Sequence, residues 1–330
     1  MSFNIRPKEN MDVEFIMLVG LPGSGKSTYV NEPLYKMVYN IHSSDNLREE
    51  LYNDANNQNN NEKIFSILLK RIREDLEKGK SCILDATNIS RKRRKHFLSQ
   101  LNDINCKKTA IVVATPYEEC LINNNKRSRK VPKEVIDKMY RNFNIPFYDE
   151  GWDEIDLYYP KQEYKGYYGN FYKDFVEKYR NKTQNNPHHS LSLGEHCIKC
   201  WFSVDKFLED TLITKDRYDE VRIASFLHDC GKVHTESIDE EGTSHYYNHE
   251  NVGSYNSLFY ESFEGRDRLF ISALIGFHML PYKFNKMKES KVESYKRSLK
   301  HIGYDKKHLQ RYEDFYEALM LLHIGDKLSH

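Results

Sequence analysis

Along the first half of the chain, short apolar runs alternate with amphipathic stretches. Glu14 to Gly20 (EFIMLVG) is an apolar run that stops at a glycine, and it predicts a buried strand with a helix opening directly after it. Lys36 to Ile41 predicts a second strand, Ser81 to Leu84 a third, Thr109 to Ala114 (TAIVVA) a fourth and Trp152 to Leu157 a last one. Between them, Lys63 to Lys78 sets Ile64, Ile67, Leu68, Ile72 and Leu76 at helical spacing, and a basic helix begins near Arg91. Strands alternating with helices predict an α/β unit, a doubly wound parallel sheet with flanking helices, over residues 1–158. Asn56 to Asn61, nearly all Asn and Gln, reads as a loop.

The pattern changes after Tyr159. Tyr and Lys crowd the stretch to about Lys182, TQNNPHHS follows, and residues 159–185 read as a linker. Beyond it the apolar spacing is helical: Leu193 to Leu208, Tyr218 to Asp229, His249 to Phe259, Arg266 to His278 and Tyr312 to His323. Residues 186–330 therefore read as an all-α second domain. A chain of 330 residues is long enough for two ordinary domains.

Composition narrows the class. Hydrophobic residues make up 39% and charged residues 30%, as expected of a globular chain with real cores. The formal net charge is only +1, so any case for nucleic-acid binding must be local. No stretch approaches the ~20 apolar residues that span a bilayer, and Met1 to Glu14 has no apolar signal core, so a cytoplasmic location is expected. The six cysteines, Cys82, Cys106, Cys120, Cys197, Cys200 and Cys230, read as reduced thiols, and the lone Cys197–Cys200 CxxC as structural.

Gly20 to Thr28, GLPGSGKST, fits the phosphate-loop pattern G-x-x-x-x-G-K-[ST]. Gly20, Gly23 and Gly25 let backbone N–H groups curl around phosphate at the start of a helix, Lys26 reaches the β- and γ-phosphates of ATP, and Ser27, followed by Thr28, holds Mg²⁺. Ligands of such sheets sit beyond the carboxyl ends of the strands. That places Asp45, in HSSDNLREEL, where a carboxylate orients an acceptor hydroxyl and takes its proton. Arg48, a turn later, is a candidate for an acceptor phosphate. In LDATNISRKRRKHF, Asp85 supports Mg²⁺, Thr87 and Asn88 offer hydrogen bonds, and Arg91 to Lys95 form a basic cluster beside the acceptor site, Arg93 included. An arginine of KRSRKVP, Lys126 to Pro132, is placed to fold over the phosphates.

The second half carries His196 (LSLGEH), His228 and Asp229 (LHDCGK), His249 (NHENVG), His278 (IGFHML) and Asp326 (HIGDKL). Each lies in or beside an apolar helical stretch, where a titratable group is costly unless paired or metal-bound. Imidazole with carboxylate suits Zn, Mn, Fe, Co, Ni or Mg, and a bound divalent ion acidifies water from about 15.7 towards ~7. His188, His189, His245 and His323 read as loop, core or supporting residues.

GLPGSGKST, Asp45 with Arg48, DATN with Arg93 and Arg94, and KRSRKVPKEVIDKMYRNF resemble the phage-type 5′-hydroxyl polynucleotide kinases over residues 14–158. The resemblance implies Asp45 as general base, Arg48 as acceptor-phosphate contact and Arg127 as lid arginine, with a 5′-OH on RNA or DNA as acceptor. The chain departs from it at Asn123, Asn124 and Asn125, where family lids often carry a second arginine, and Arg129 is a candidate to share that role.

PHHSLSLGEH, LHDCGK and the distant Asp326 resemble the all-α, metal-dependent HD phosphohydrolases over about residues 186–330. That resemblance implies His196, His228, Asp229 and Asp326 as one metal shell, His249 and His278 as ligands of a second ion, and Lys232 as a substrate-phosphate contact. Together the two resemblances imply an RNA end-healing enzyme. It would phosphorylate 5′-OH ends and remove 2′,3′-cyclic, 2′- or 3′-phosphates, leaving the seal to a separate ligase. The alternative is a small-metabolite or nucleoside kinase joined to an HD nucleotidase.

Overall fold

The computed structural model describes residues 13–55, 57, 60–170, 178–185, 190–260, 267–300 and 314–330. Five strands form one parallel sheet: β1 (Glu14–Val19), β2 (Asn40–Ser43), β3 (Cys82–Asp85), β4 (Lys107–Val113) and β5 (Glu154–Tyr158), in the order β2-β3-β1-β4-β5. β1 is buried at every position, as expected of a central parallel strand covered on both faces. It pairs with β3 through Ile16 and Ile83 and with β4 through Ile16 and Thr109. The carboxyl ends of β1, β2, β3 and β4 therefore open on one edge, at or just beyond which Gly20, Asp45, Asp85 and Thr115 lie.

Besides a short helix over Pro33–Val38, this half has α1 (Lys26–Asn31), α2 (Ser44–Tyr52), α3 (Asn61–Glu77), α4 (Arg91–Ser99), α5 (Tyr117–Lys126) and α6 (Lys133–Arg141). The second strand differs from the expectation. Lys36 to Val38 belong to a short helix, Pro33–Val38, and β2 begins only at Asn40. Pro33 occupies the first helical position, where its fixed φ favours a helix and its missing N–H costs nothing. Part of the loop read at Asn56 to Asn61 lies outside the described residues; the rest precedes or opens α3.

The C-terminal half is helical: α7 (Leu193–Phe207), α8 (Tyr218–Leu227), α9 (His249–Asn256), α10 (Arg268–Phe277), α11 (Glu289–Lys300) and α12 (Phe315–Leu328). Ser192 starts α7 with a capping box shared with Glu195, and Asp267 caps α10 by accepting from the Phe270 N–H. The all-α expectation needs one correction. Ser237–Ile238 and Ser244–His245 pair as an antiparallel hairpin, turned by Gly242 at positive φ. Two polar runs of this length carry too little apolar alternation to signal strands. His188, His189 and the beginning of the helix read at Tyr312 lie outside the described residues.

The two halves share one core. A continuous buried cluster runs from Phe15, Met17 and Val19 through Tyr140, Phe143 and Phe147 to Tyr255, Phe270 and Phe315. Tyr140 stacks on Tyr117 at 4.3 Å and meets Tyr255 edge-on at 5.6 Å, and Phe147 lies 4.5 Å from Phe315. Polar contacts lock the seam: Tyr255 donates to the Thr115 carbonyl at 2.5 Å, Tyr140 to Asn256 Oδ1 at 2.7 Å, and Tyr159 to the Leu258 carbonyl at 2.9 Å. The described parts of 159–185 are also fixed in place. Tyr164 and Tyr179 are buried, and the Gly194 N–H donates to the Tyr179 carbonyl. No helix among the described residues is long and apolar enough to cross a membrane.

Candidate active sites

The first site lies at the carboxyl edge of the sheet. Gly25 caps α1 in the left-handed region, φ 98°, and Gly23 has φ 80°. A Cβ on Gly23 would sit 2.3 Å from the Cys120 carbonyl oxygen, so the loop packs against α5 only with glycine there. Lys26 Nζ donates to the carbonyls of Gly20 (3.0 Å) and Leu21 (2.7 Å). Burial lowers the Lys26 ammonium pKa, opposed by the charge of Asp85. Burial likewise raises the Asp85 carboxyl, opposed by Lys26. Ser27 Oγ lies 3.5 Å from Asp85 Oδ2, so a hydroxyl and a carboxylate face one another at the end of β3. These donors and the glycine cradle fit a triphosphate with its magnesium.

Ser27, Asp85, Asp45, Arg127 and Arg129 line one cleft of about 650 Å³. Asp45 is half exposed at the start of α2 and accepts from Arg48 Nη1 (3.1 Å) and Arg129 Nη1 (2.7 Å). Arg48 is buried, which lowers its pKa against the opposing charge of Asp45; its Nη2 donates to Asn61 Oδ1 (2.7 Å). Arg129 also donates to the Ala55 carbonyl at 2.6 Å. Two asparagines of α5 hold the neighbouring loops. Asn124 exchanges two hydrogen bonds with the Val131 backbone (2.8 and 3.0 Å), and Asn123 donates to the Gly23 carbonyl (3.1 Å). Thr28 is exposed on α1.

The basic helix α4 is divided between duties. Arg94 is 1% exposed and forms a two-pronged ion pair with Glu150 (2.6 and 2.7 Å) while donating to the Asn88 and Asn144 carbonyls (both 2.9 Å). Arg91 pairs with buried Asp149. Arg93 and Lys92 remain exposed. Thr87 accepts from the Gly20 N–H through its carbonyl, and Asn88, at φ 47°, donates its amide to the Leu18 carbonyl (2.8 Å). Asn88 thus ties the end of β3 to β1 beneath the phosphate loop.

The second site is buried among helices. His196 (α7), His228 (after α8) and Asp326 (α12) converge as one set, and Asp229, His249 (α9) and His278 (after α10) as another, with the ligand atoms of each set within 4.8 Å of one another. Asp229 faces both. Its Oδ2 lies 3.2 Å from His196 Nε2 and 3.5 Å from His228 Nε2, while its Oδ1 lies 3.0 Å from His249 Nε2 and 3.7 Å from His278 Nε2. His196 Nε2 and Asp326 Oδ1 are 3.2 Å apart.

The imidazoles are aimed from behind. His228 Nδ1 meets the Ser225 carbonyl (2.7 Å), His249 Nδ1 the Tyr246 carbonyl (2.8 Å) and His278 Nδ1 the Ile275 carbonyl (2.7 Å), which turns each Nε2 toward the centre. Tyr282 donates to Asp326 Oδ2 at 3.0 Å, with its ring against His323. His245 pairs instead with Asp239 in the hairpin.

Electrostatics concentrates negative charge at the centre. Burial opposes ionisation of Asp229, but Lys232, His228 and hydrogen bonds from His196 and His249 outweigh it and hold its pKa well below the carboxylate range. Asp326 is depressed against burial by His228 and His196. Despite burial, hydrogen bonds to Asp229 and Asp326 raise His196 to about 9. Lys232 Nζ sits 2.7 Å from Asp229 Oδ2. Two buried sets of imidazole and carboxylate donors joined by one carboxylate fit a pair of divalent cations. Cys197 and Cys200 are buried thiols with strongly raised pKa, and they belong to neither set.

Gly231 went unnoticed in the sequence. A Cβ there would lie 2.0 Å from the His249 carbonyl oxygen, so only glycine lets the residues after Asp229 touch α9. The signal was available as HDCGK, but its partner is distant in the chain.

Residues 15–146 match the AAA domain family model AAA_33. The N-terminal half is thus a P-loop domain of kinase type. An L-seryl-tRNA(Sec) kinase of Methanococcus maripaludis is 27% identical over 247 residues, covering 68% of this chain and 93% of that protein. A protein of Acanthamoeba polyphaga mimivirus, provisionally named a bifunctional polynucleotide phosphatase/kinase, is 28% identical over 165 residues. The match covers 47% of this chain and about a third (34%) of that protein. A solved Pnkp1/Rnl/Hen1 RNA repair complex contains a chain with 22% identity and a TM-score of 0.37, covering 42% of this chain and 46% of that one.

Proposed function

We propose that the protein heals broken RNA ends. Its N-terminal site phosphorylates 5′-OH ends with ATP, and its C-terminal site removes 2′,3′-cyclic, 2′- or 3′-phosphates with divalent metal. The observation that carries this reading is the coexistence in one chain of an Asp45 cleft beside a phosphate loop and an Asp229-bridged cage of imidazoles. Ribonucleases that leave 5′-OH and cyclic phosphate ends create both substrates in one cut.

In the kinase step, ATP with magnesium supplies the phosphoryl group. Lys26, now on the loop carbonyls, would turn to the β- and γ-phosphates, and Ser27 and Asp85, facing one another, would hold the metal. Asp45 orients the acceptor hydroxyl and accepts its proton, for which Arg129 must swing off its carboxylate. Arg127 and Arg129, which line the cleft, neutralise charge on the phosphates, while Arg48, paired with Asp45, and exposed Arg93 serve the acceptor strand.

In the hydrolase step, bound divalent ions supply Lewis acidity and an acidified water. His196, His228 and Asp326 would hold one ion and Asp229, His249 and His278 the other, with Asp229 Oδ2 also facing the first set. Lys232 faces the phosphate ester across Asp229. A separate ligase then joins the healed ends.

A second kinase acceptor follows from the seryl-tRNA kinase relative, whose match extends well beyond the P-loop domain. The hydroxyl would then be an RNA-borne seryl group. Transfer from γ-labelled ATP to 5′-OH oligonucleotides, seryl-tRNA and free nucleosides decides the matter. The end-healing account expects label on oligonucleotides, weakening steeply with salt. Label on seryl-tRNA or on monomers alone removes it.

A further inference from the structure

The segment that leads into α7 places one more side chain beside the metal cage. Gln184 is only 6% exposed, and its Oε1 accepts from Lys232 Nζ at 2.8 Å. The same Nζ lies 2.7 Å from Asp229 Oδ2, the carboxylate shared by both ligand sets. An ammonium only donates, so the amide oxygen must face it, and the amide Nε2 is turned away from Lys232. That Nε2 is buried and has no hydrogen-bond partner among the described residues.

An unmade buried donor costs free energy, and a mobile side chain would swing out to recover it. Here the backbone is held on both sides. The Ser244 N–H donates to the Asn185 carbonyl at 2.7 Å, Asn185 Nδ2 donates to the Gly242 carbonyl at 2.7 Å, and Lys182 pairs with Glu236 at 2.6 Å. The hairpin thus clamps Gln184 against Lys232 with a neutral donor left over, next to the residue that faces the phosphate ester. A neutral donor beside an ammonium is the pairing that recognises a phosphoryl oxygen.

We infer that Gln184 is a substrate-binding residue of the hydrolase site, donating from Nε2 to a non-bridging oxygen of the phosphate ester that Lys232 neutralises. The inference rests on the metal-hydrolase reading of the cage and adds a contact from outside the helical region. It makes Gln184 part of the phosphate pocket.

The test uses the full chain loaded with Mn²⁺ and inorganic phosphate as probe. Phosphate affinity is read by calorimetry and bound manganese by elemental analysis, for wild type, Gln184→Ala and Gln184→Glu. Both variants should retain the wild-type manganese content. Phosphate affinity should fall about tenfold in Gln184→Ala and further in Gln184→Glu, where a carboxylate replaces the donor. The KM for a 3′-phosphorylated oligonucleotide should rise in step.

Wild-type phosphate affinity in both variants, with manganese intact, would overturn the inference alone. So would loss of manganese in Gln184→Ala, which would make Gln184 a support of the cage. A wild-type protein that binds no manganese would remove the hydrolase reading and this inference with it.

Discussion

The two candidate sites solve opposite problems. The phosphate-loop cleft is built at the edge of a sheet, is open to solvent, and its cations are parked on the groups they would release: Arg129 on Asp45, Lys26 on the Gly20 and Leu21 carbonyls. The imidazole cage is built from helices, is buried, and each of its histidines except His196 is locked by the backbone carbonyl three residues earlier in the chain. A site that must exchange a large anionic nucleotide benefits from movable partners. A site that must present several lone pairs to a small cation benefits from rigidity. One site should therefore be sensitive to loop contacts and the other to helix packing.

The largest effect expected is from Asp229→Ala. Losing the carboxylate that faces both sets should strip the cage of metal and reduce hydrolase activity to background, while 5′-kinase activity remains. Parallel metal analysis and kinase assays check this, and a kinase lost together with the metal would show that the shared core couples the sites. Next, Asp45→Ala should slow phosphoryl transfer by about 10²–10⁴-fold with little change in hydrolysis, read from single-turnover rates. A healthy Asp45→Ala kinase would name another base.

Arg94→Ala should cost about 3–5 kcal/mol of stability in urea titrations, because it leaves Glu150 buried without its cation, whereas Arg93→Ala should stay within ~0.5 kcal/mol. Arg93→Ala should instead weaken oligonucleotide binding. Gly231→Ala pushes a Cβ into the His249 carbonyl and should cost about 1–3 kcal/mol, with weakened manganese binding as its particular signature. The smallest effect belongs to Asn124→Ala, which frees the Val131 backbone and should raise the KM for ATP severalfold without touching hydrolysis.

What could be read from the chain was local or periodic. Strand β1 and the glycine loop announce themselves within fifteen residues, Glu14 to Thr28, because strand burial and phosphate cradling both need contiguous residues. The six metal-set residues stood out one by one as titratable groups in apolar stretches, and helix packing brings them together. The sequence left open which residues serve the fold. Arg94 and Arg93 are neighbours in a basic run, and only the tertiary position of Glu150 separates a buried ion pair from an exposed charge. Asn88 looked like a cleft donor, and its amide is taken by the Leu18 carbonyl of β1. Lys36 to Ile41 looked like a strand because its apolar residues outweighed the helix start set by Pro33. The two-sided duty of Asp229, and the place of Gln184 beside it, depend on contacts between helices and a hairpin far apart in the chain.

The central claim is that one chain repairs both ends of the same break. An RNA bearing a 5′-OH and a 2′,3′-cyclic phosphate, incubated with the protein, ATP, magnesium and manganese, has both termini mapped by mass spectrometry. The account predicts a 5′-phosphate together with loss of the cyclic phosphate, the first abolished by Asp45→Ala and the second by Asp229→Ala. A product with both termini unchanged would contradict it.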